Sequence, residues 1–328
     1  MRMKTLLSLA VCIALGATLA PATHADSLDA QVVALFPKNC VDFSYADLAK
    51  ARQFPWFIPF EMQVLPVRLY RFEKFLTSPQ MGPGNQVNGV AWAVASGDIS
   101  RATGIVGVAI GDFDTQTAES YLDTQKAPSF AFDGHTIYAS NSDFGDAEIF
   151  FTFLDPSTVV FGDRSLVEDV IRVHNAEEHN LDDNLPMMAL INQADDTDVF
   201  WGVLDAQGAQ AAMRQSVPAA AQFPQAQQWI GKLDALVIGV AGSSDTGLSL
   251  SLNAVAATPQ DALILSQLFQ AGIAMKRYQS AQDDPRLAQI LDTVDVAANG
   301  PRLGVSLDLT NDQILALIEQ NIFALPDM

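Results

Sequence analysis

The chain has 328 residues, enough to bury one or two sizeable cores, and 49% hydrophobic with 17% charged residues marks a folding sequence, not a disordered one. Its 18 Lys and Arg against 38 Asp and Glu leave a formal net charge of −20, a field that repels nucleic acid and anionic lipid surfaces. Such a charge favours solubility, cations or a basic partner, and no nucleic-acid role is expected.

Residues 1–25 read as a secretory signal. Arg2 and Lys4 supply positive charge, Leu6 to Ala20 is the apolar run, and Ala-Thr-His-Ala ends at a cut after Ala25. Val11 precedes Cys12 where lipoprotein signals carry Gly, Ala or Ser, which argues against a lipid anchor. Two of the basic residues and none of the acidic ones lie in this segment, so the mature charge is about −22. The mature chain keeps one cysteine, Cys40, which cannot close an internal disulfide and reads as a buried strand thiol. No later stretch reaches the roughly 20 apolar residues of a transmembrane span. Ala262 to Met275 is interrupted by Ser266, Gln267 and Gln270 and reads as an amphipathic core helix.

Ser27 to Phe36 is a short amphipathic start, and Val41 to Ser44 is a strand. Phe54-Pro55-Trp56-Phe57-Ile58-Pro59-Phe60 is the most aromatic segment, and it leads into a helix running to about Leu76 with Pro66 as a kink or break. Leu69, Phe72, Phe75 and Leu76 fall at helical spacing for core packing. The aromatic residues read either as core or as a ligand or partner surface formed by Trp56, Phe57 and Phe60, since so many large apolar groups at one helix start are hard to bury.

Val87 to Ala95 and Ile105 to Gly111 alternate as strands. Their faces of small residues (Ala91, Ala93 and Ala95; Gly107, Ala109 and Gly111) admit a closely packed helix or, less commonly, a flat ligand. Asp114 caps a short helix with Ala118, Tyr121 and Leu122 on its apolar stripe. Asp133-Gly134 joins Phe130–Asp133 to His135–Ala139 as a hairpin. Ile149 to Leu154 and Thr158 to Phe161 form a strand pair broken by Asp155-Pro156. Ser165 with Glu168 spells a capping box for a helix that buries Leu166, Val167, Val170 and Ile171.

After a polar, aperiodic stretch, Asn175 to Asn184, a weaker copy of this plan returns. Val199 to Leu204 is a strand, and Leu233 to Ala241 matches Val87 to Ala95 in pattern. Gly247 to Ala257 is a strand, and Thr258 caps a helix. Asn299-Gly300-Pro301 is the turn before the strand Leu303 to Leu307, and Thr310 with Gln313 caps a helix burying Ile314, Leu315, Leu317 and Ile318. Residues 26–178 therefore read as one unit, 179–195 as a linker and 196–328 as a second. The expected fold class is α+β: two related units, each a mostly antiparallel sheet with helices packed mainly on one face.

Chemistry is sparse. The run His174, Glu177, Glu178, His179, Asp182 and Asp183 has residue types that suit calcium or zinc, with His174, Glu178, His179 and Asp182 as the named candidates. Its spacing fits no metal template, a solvated linker explains it, and no cofactor is expected. Asp195, Asp196 and Asp198 form a weaker acidic cluster. Asp245-Thr246-Gly247 spells the aspartic-protease triplet, but Gly97-Asp98-Ile99-Ser100 at the corresponding hairpin is not a second such triplet. No nucleophile elbow, phosphate loop or dinucleotide fingerprint occurs. His135, beside the Asp133-Gly134 turn, reads as a hairpin-edge residue.

The patterns at Ile105 to Asp112, Ala147 to Val173 and Asp198 to Gln215 resemble exported bacterial proteins of uncharacterised role built from a duplicated α+β unit. That resemblance implies the fold and carries no catalytic residues. The leading expectation is a non-enzymatic exported binding or envelope-assembly protein, periplasmic or extracellular, with an unknown protein or apolar small molecule as partner. Two alternatives stand beside it: a periplasmic carrier of an apolar ligand, and a carboxylate- or metal-dependent hydrolase.

Overall fold

The computed structural model describes residues 30–64, 67–95, 104–140, 149–195, 197–216, 224–243 and 247–319. The expected signal with its cut after Ala25, Cys12, Pro66, the Gly97 to Ser100 turn, Asp196 and Asp245-Thr246 lie outside these residues. The fold is α+β, and the strand pairings are antiparallel. By contacts the chain groups into two units, Asp26–Arg52 with Leu65–Ala189 and Gln53–Val64 with Leu190–Met328.

In the first unit, β1 (Cys40–Asp47), β2 (Gln86–Ala95), β3 (Ile105–Asp112), β4 (Ser129–Phe132), β5 (His135–Ala139), β6 (Phe150–Asp155) and β7 (Thr158–Gly162) pair in the order β1-β2-β3-β7-β6-β5-β4. Its helices are α1 (Ala30–Val33), α2 (Leu48–Ala51), α4 (Val67–Leu76), α5 (Thr115–Thr124) and α6 (Arg164–His174); α3 (Phe57–Val64) belongs to the other unit. The β4–β5 turn takes positive φ at both central residues, 42° at Asp133 and 87° at Gly134, as a two-residue hairpin of this twist requires. Asp114 caps α5 by accepting from the Thr117 amide at 3.0 Å. The core gathers Phe72, Leu76, Phe151 and Phe161, with the Phe72 ring 5.2 Å from Phe161 and 5.3 Å from Phe151. Each such side chain contributes about 1.5–3 kcal/mol of burial.

Three expectations are corrected here. Helix α6 starts at Arg164 with Asp163 at its N-cap, so Ser165 lies inside the first turn and Glu168 instead accepts from Arg164 Nε at 2.8 Å. The Ser165–Glu168 capping box does not form, because the helix begins two residues too early for it. The space over Gly107 is filled from the neighbouring strand: Phe161, its cross-strand partner, lays its ring where a Cβ would stand. The Tyr45 hydroxyl does the same over Gly89. The small residues at those two positions thus accommodate aromatic rings of the sheet itself. The polar stretch after α6 is also pinned: Leu181 is buried and its amide donates to the Phe36 carbonyl at 2.7 Å, while Lys38 donates to the His179 carbonyl at 3.1 Å. A short 3-10 turn (Leu181–Asp183) and α7 (Leu185–Ile191) follow.

In the second unit, β8 (Phe200–Asp205), β9 (Leu233–Ser243), β10 (Gly247–Ala256), β11 (Asp295–Asn299) and β12 (Arg302–Leu309) pair in the order β8-β9-β10-β12-β11. Its further helices are α8 (Ala206–Ser216), α9 (Pro224–Ile230), α10 (Pro259–Asp283), α11 (Pro285–Asp292) and α12 (Asn311–Glu319). Period-two alternation sets opposite faces on β10 and β12: Leu248 meets Leu309, Leu250 meets Leu307 and Leu252 meets Val305 on the buried side. Ser249 bonds Asp308 on the other side. Thr310 and Gln313 cap α12 reciprocally, Thr310 N donating to Gln313 Oε1 at 2.8 Å and Gln313 N to Thr310 Oγ1 at 3.3 Å. Helix α10 is a core helix only in its first half. Ala262 and Leu265 are buried, whereas Leu268, Met275 and Tyr278 stand outward because the apolar residues continue round the helix. Among the described residues no helix is long and apolar enough to cross a membrane.

Candidate functional site

The aromatic segment turns before it coils. Phe57 N donates to the Phe54 carbonyl at 3.1 Å, and Phe60 N to the Trp56 carbonyl at 3.0 Å, which carries the chain into α3. Pro59 sits in the first turn of that helix, where its missing N–H costs no intrahelical bond. Phe54 and Trp56 stack with ring centroids 5.3 Å apart and planes 2° apart, and Phe60 meets the indole edge-on at 5.7 Å. Gly242 on β9 leaves room for the Phe54 ring, which a Cβ there would strike.

Of the residues expected to form a surface, Trp56 is only 2% and Phe57 only 7% exposed, and Phe60 is half-buried. The outward residues of the segment are Pro55 and Ile58, the latter at 52%. Burial leaves one polar atom of the segment stranded: the Trp56 Nε1–H has no hydrogen-bond partner among the described residues. A buried donor in that state costs about 1–3 kcal/mol, and native structures hold few of them.

The acidic run after α6 does not converge. His174 turns to His135, their ring centroids 5.7 Å apart. Glu178 lies 3.7 Å from Arg172, which also donates to Asp169 at 2.6 Å. The His179 Nδ1 lies 2.5 Å from Asp183, and Asp182 accepts from Asn180 at 3.4 Å. Among the described residues no group of three or more His, Cys, Asp or Glu side chains is placed to hold a metal. Asp195 accepts from the amide and hydroxyl of Thr197 at 2.9 and 2.7 Å, and Asp198 is buried. Gly247, the last residue of the protease-like triplet, has φ of 110° and packs against the Leu309 carbonyl.

Cys40 is buried at the head of β1, and burial, with Asp42 nearby, pushes its thiol far above the ordinary value. A thiol held neutral in this way is a poor nucleophile. Asp114 is the exposed carboxyl whose acidity is strengthened, by hydrogen bonds from the Thr117 hydroxyl and amide.

No family model matches the chain, and no curated protein matches it. Among solved structures, crystal form I of TP0453, a Treponema protein, is similar at 11% identity and a TM-score of 0.46, over 92% of this chain and 100% of that chain.

Proposed function

We propose that this is an exported, non-enzymatic binding or assembly protein of the bacterial envelope, built on a duplicated α+β unit, and that it engages its ligand or partner at the aromatic segment around Trp56. The observation that carries the reading is the stranded Trp56 N–H, a buried donor that a partner's carbonyl or other acceptor would satisfy. Because Trp56 and Phe57 are covered, engagement involves a local opening of the segment led by Ile58, its exposed large apolar residue. The duplication is supported by the two neighbour orders. The order β1-β2-β3-β7-β6 in one unit has the same chain connectivity as β8-β9-β10-β12-β11 in the other, with β4–β5 as an addition to the first. Helices α6 and α12 close the two series. Export is supported by the signal pattern of residues 1–25. The muted thiol of Cys40 supports a role without thiol chemistry.

Trp56→Phe keeps an aromatic ring and removes the donor. The protein and this variant are to be recovered from their own envelope extract and compared by native mass spectrometry. The expected result is a retained species in the unaltered protein that the variant lacks, while the free variant stays folded, removal of a stranded donor worth about 1–3 kcal/mol offsetting part of the cost of the smaller ring. An identical retained complement in both would refute the site.

A further inference from the structure

We infer that His135 and His174 form a two-imidazole site for a divalent transition metal, with zinc as the test ion. The two residues lie far apart in the chain, and the fold brings them together. His135 opens β5, immediately past the Asp133-Gly134 turn, and His174 is the last residue of α6. Their rings approach to 5.7 Å between centroids, at 74° between planes. Asn175, the C-cap of α6, donates from Nδ2 to the Asp133 carbonyl at 3.1 Å and so ties the hairpin turn to the helix end. Left-handed backbone at non-glycine residues lies at the Asp133 end of this tie, at 42°, and at Ala176, the residue after Asn175, at 58°. Further along, Arg172 lies 5.1 Å from the Phe132 ring centroid and Arg164 lies 3.7 Å from that of Phe130, holding α6 against β4.

Ion geometry fits this spacing. With Zn–N of about 2.0–2.1 Å, an imidazole centroid stands roughly 3.2 Å from the ion, so two rings sharing one ion have centroids no more than roughly 6.4 Å apart. The observed 5.7 Å falls within that limit, and two rings each turning a nitrogen to one ion at that spacing would subtend an angle wider than tetrahedral. Nitrogen donors select zinc, copper or nickel over calcium and magnesium, which take oxygen. Two protein ligands leave the remaining positions to water, so the site is labile rather than a structural staple of the closed type. Cationic competition is muted, because Arg172 is engaged by Asp169 at 2.6 Å and by Glu178 at 3.7 Å.

Titration calorimetry of the whole chain with zinc chloride tests the site. One zinc per chain is expected, with binding weakened roughly tenfold or more by His135→Ala or His174→Ala and changed less than about twofold by His179→Ala, whose partner is Asp183. No binding up to about 1 mM zinc, binding unaltered in both single variants, or loss on His179→Ala alone would each overturn the assignment. Should a variant fail to fold, electron paramagnetic resonance of the unaltered protein with one equivalent of copper(II) decides the question. Hyperfine splitting from two imidazole nitrogens supports the pair, and an all-oxygen spectrum refutes it.

Discussion

Cys40 places a thiol in a hydrocarbon setting, 1% exposed and with Asp42 close enough to oppose the thiolate further. It should resist a disulfide-exchange reagent in native buffer and react fully once the chain is unfolded in guanidinium. Fast native labelling would show that β1 opens far more readily than its packing suggests. A lone cysteine among alternating apolar residues is legible as a buried strand thiol without a structure. Trp56 is only half legible. Its company of Phe54, Phe57 and Phe60 announces packing, but whether the indole N–H finds an acceptor depends on neighbours remote in sequence. The His135–His174 pairing is hidden for the same reason. It follows from where a hairpin turn meets a helix end, and neither residue lies near the other along the chain.

At the level of elements, helix caps separate what local sequence decides from what it does not. Thr310 and Gln313 spell a capping box, and the box forms around α12. Ser165 and Glu168 spell the same motif, yet α6 starts at Arg164, and Arg164 takes Glu168 for itself. The competing salt bridge and the earlier start are settled by how α6 must lie to bury Val167, Val170 and Ile171. Thr310→Ala should therefore cost about 1 kcal/mol in denaturant unfolding, whereas Ser165→Ala should cost less than about 0.5 kcal/mol. Equal losses would mean that α6 frays back in solution to the start its sequence spells. The Asp133-Gly134 turn, by contrast, is fully legible, because its backbone geometry is demanded by the dipeptide itself, and in the Asn299-Gly300-Pro301 turn Gly300 takes the positive φ, at 57°.

Across the whole molecule, stability should depend on two tyrosines at high pH. Burial, reinforced by Asp47, pushes the Tyr45 phenol from 10.0 to about 12; burial, reinforced by Glu119 and Asp123, takes Tyr138 to about 12 as well. A phenol whose folded value lies above its unfolded value stabilises fully below the unfolded one and loses that contribution as pH climbs to the folded one. Unfolding free energy should thus fall between about pH 10 and pH 12, and the fall should flatten in Tyr45→Phe with Tyr138→Phe. A decline of the same slope in the double variant would assign it elsewhere. The α+β class is legible because alternation, turns and caps recur along the chain. The allotment of Gln53–Val64 to the second unit is not, since a contact grouping depends on packing that no local pattern records.

The claim on which this account turns is that the Trp56 indole is a donor awaiting a partner. The four tryptophans, Trp56, Trp92, Trp201 and Trp229, give four indole resonances in a nitrogen-15 spectrum, and Trp56→Phe identifies the one in question. In the free protein that proton should resonate at the upfield position of an unbonded N–H, and on addition of envelope extract it should move downfield as an acceptor arrives. A Trp56 resonance that already shows a hydrogen bond in the free protein, or that stays fixed while a retained species shifts the other three, would contradict the account.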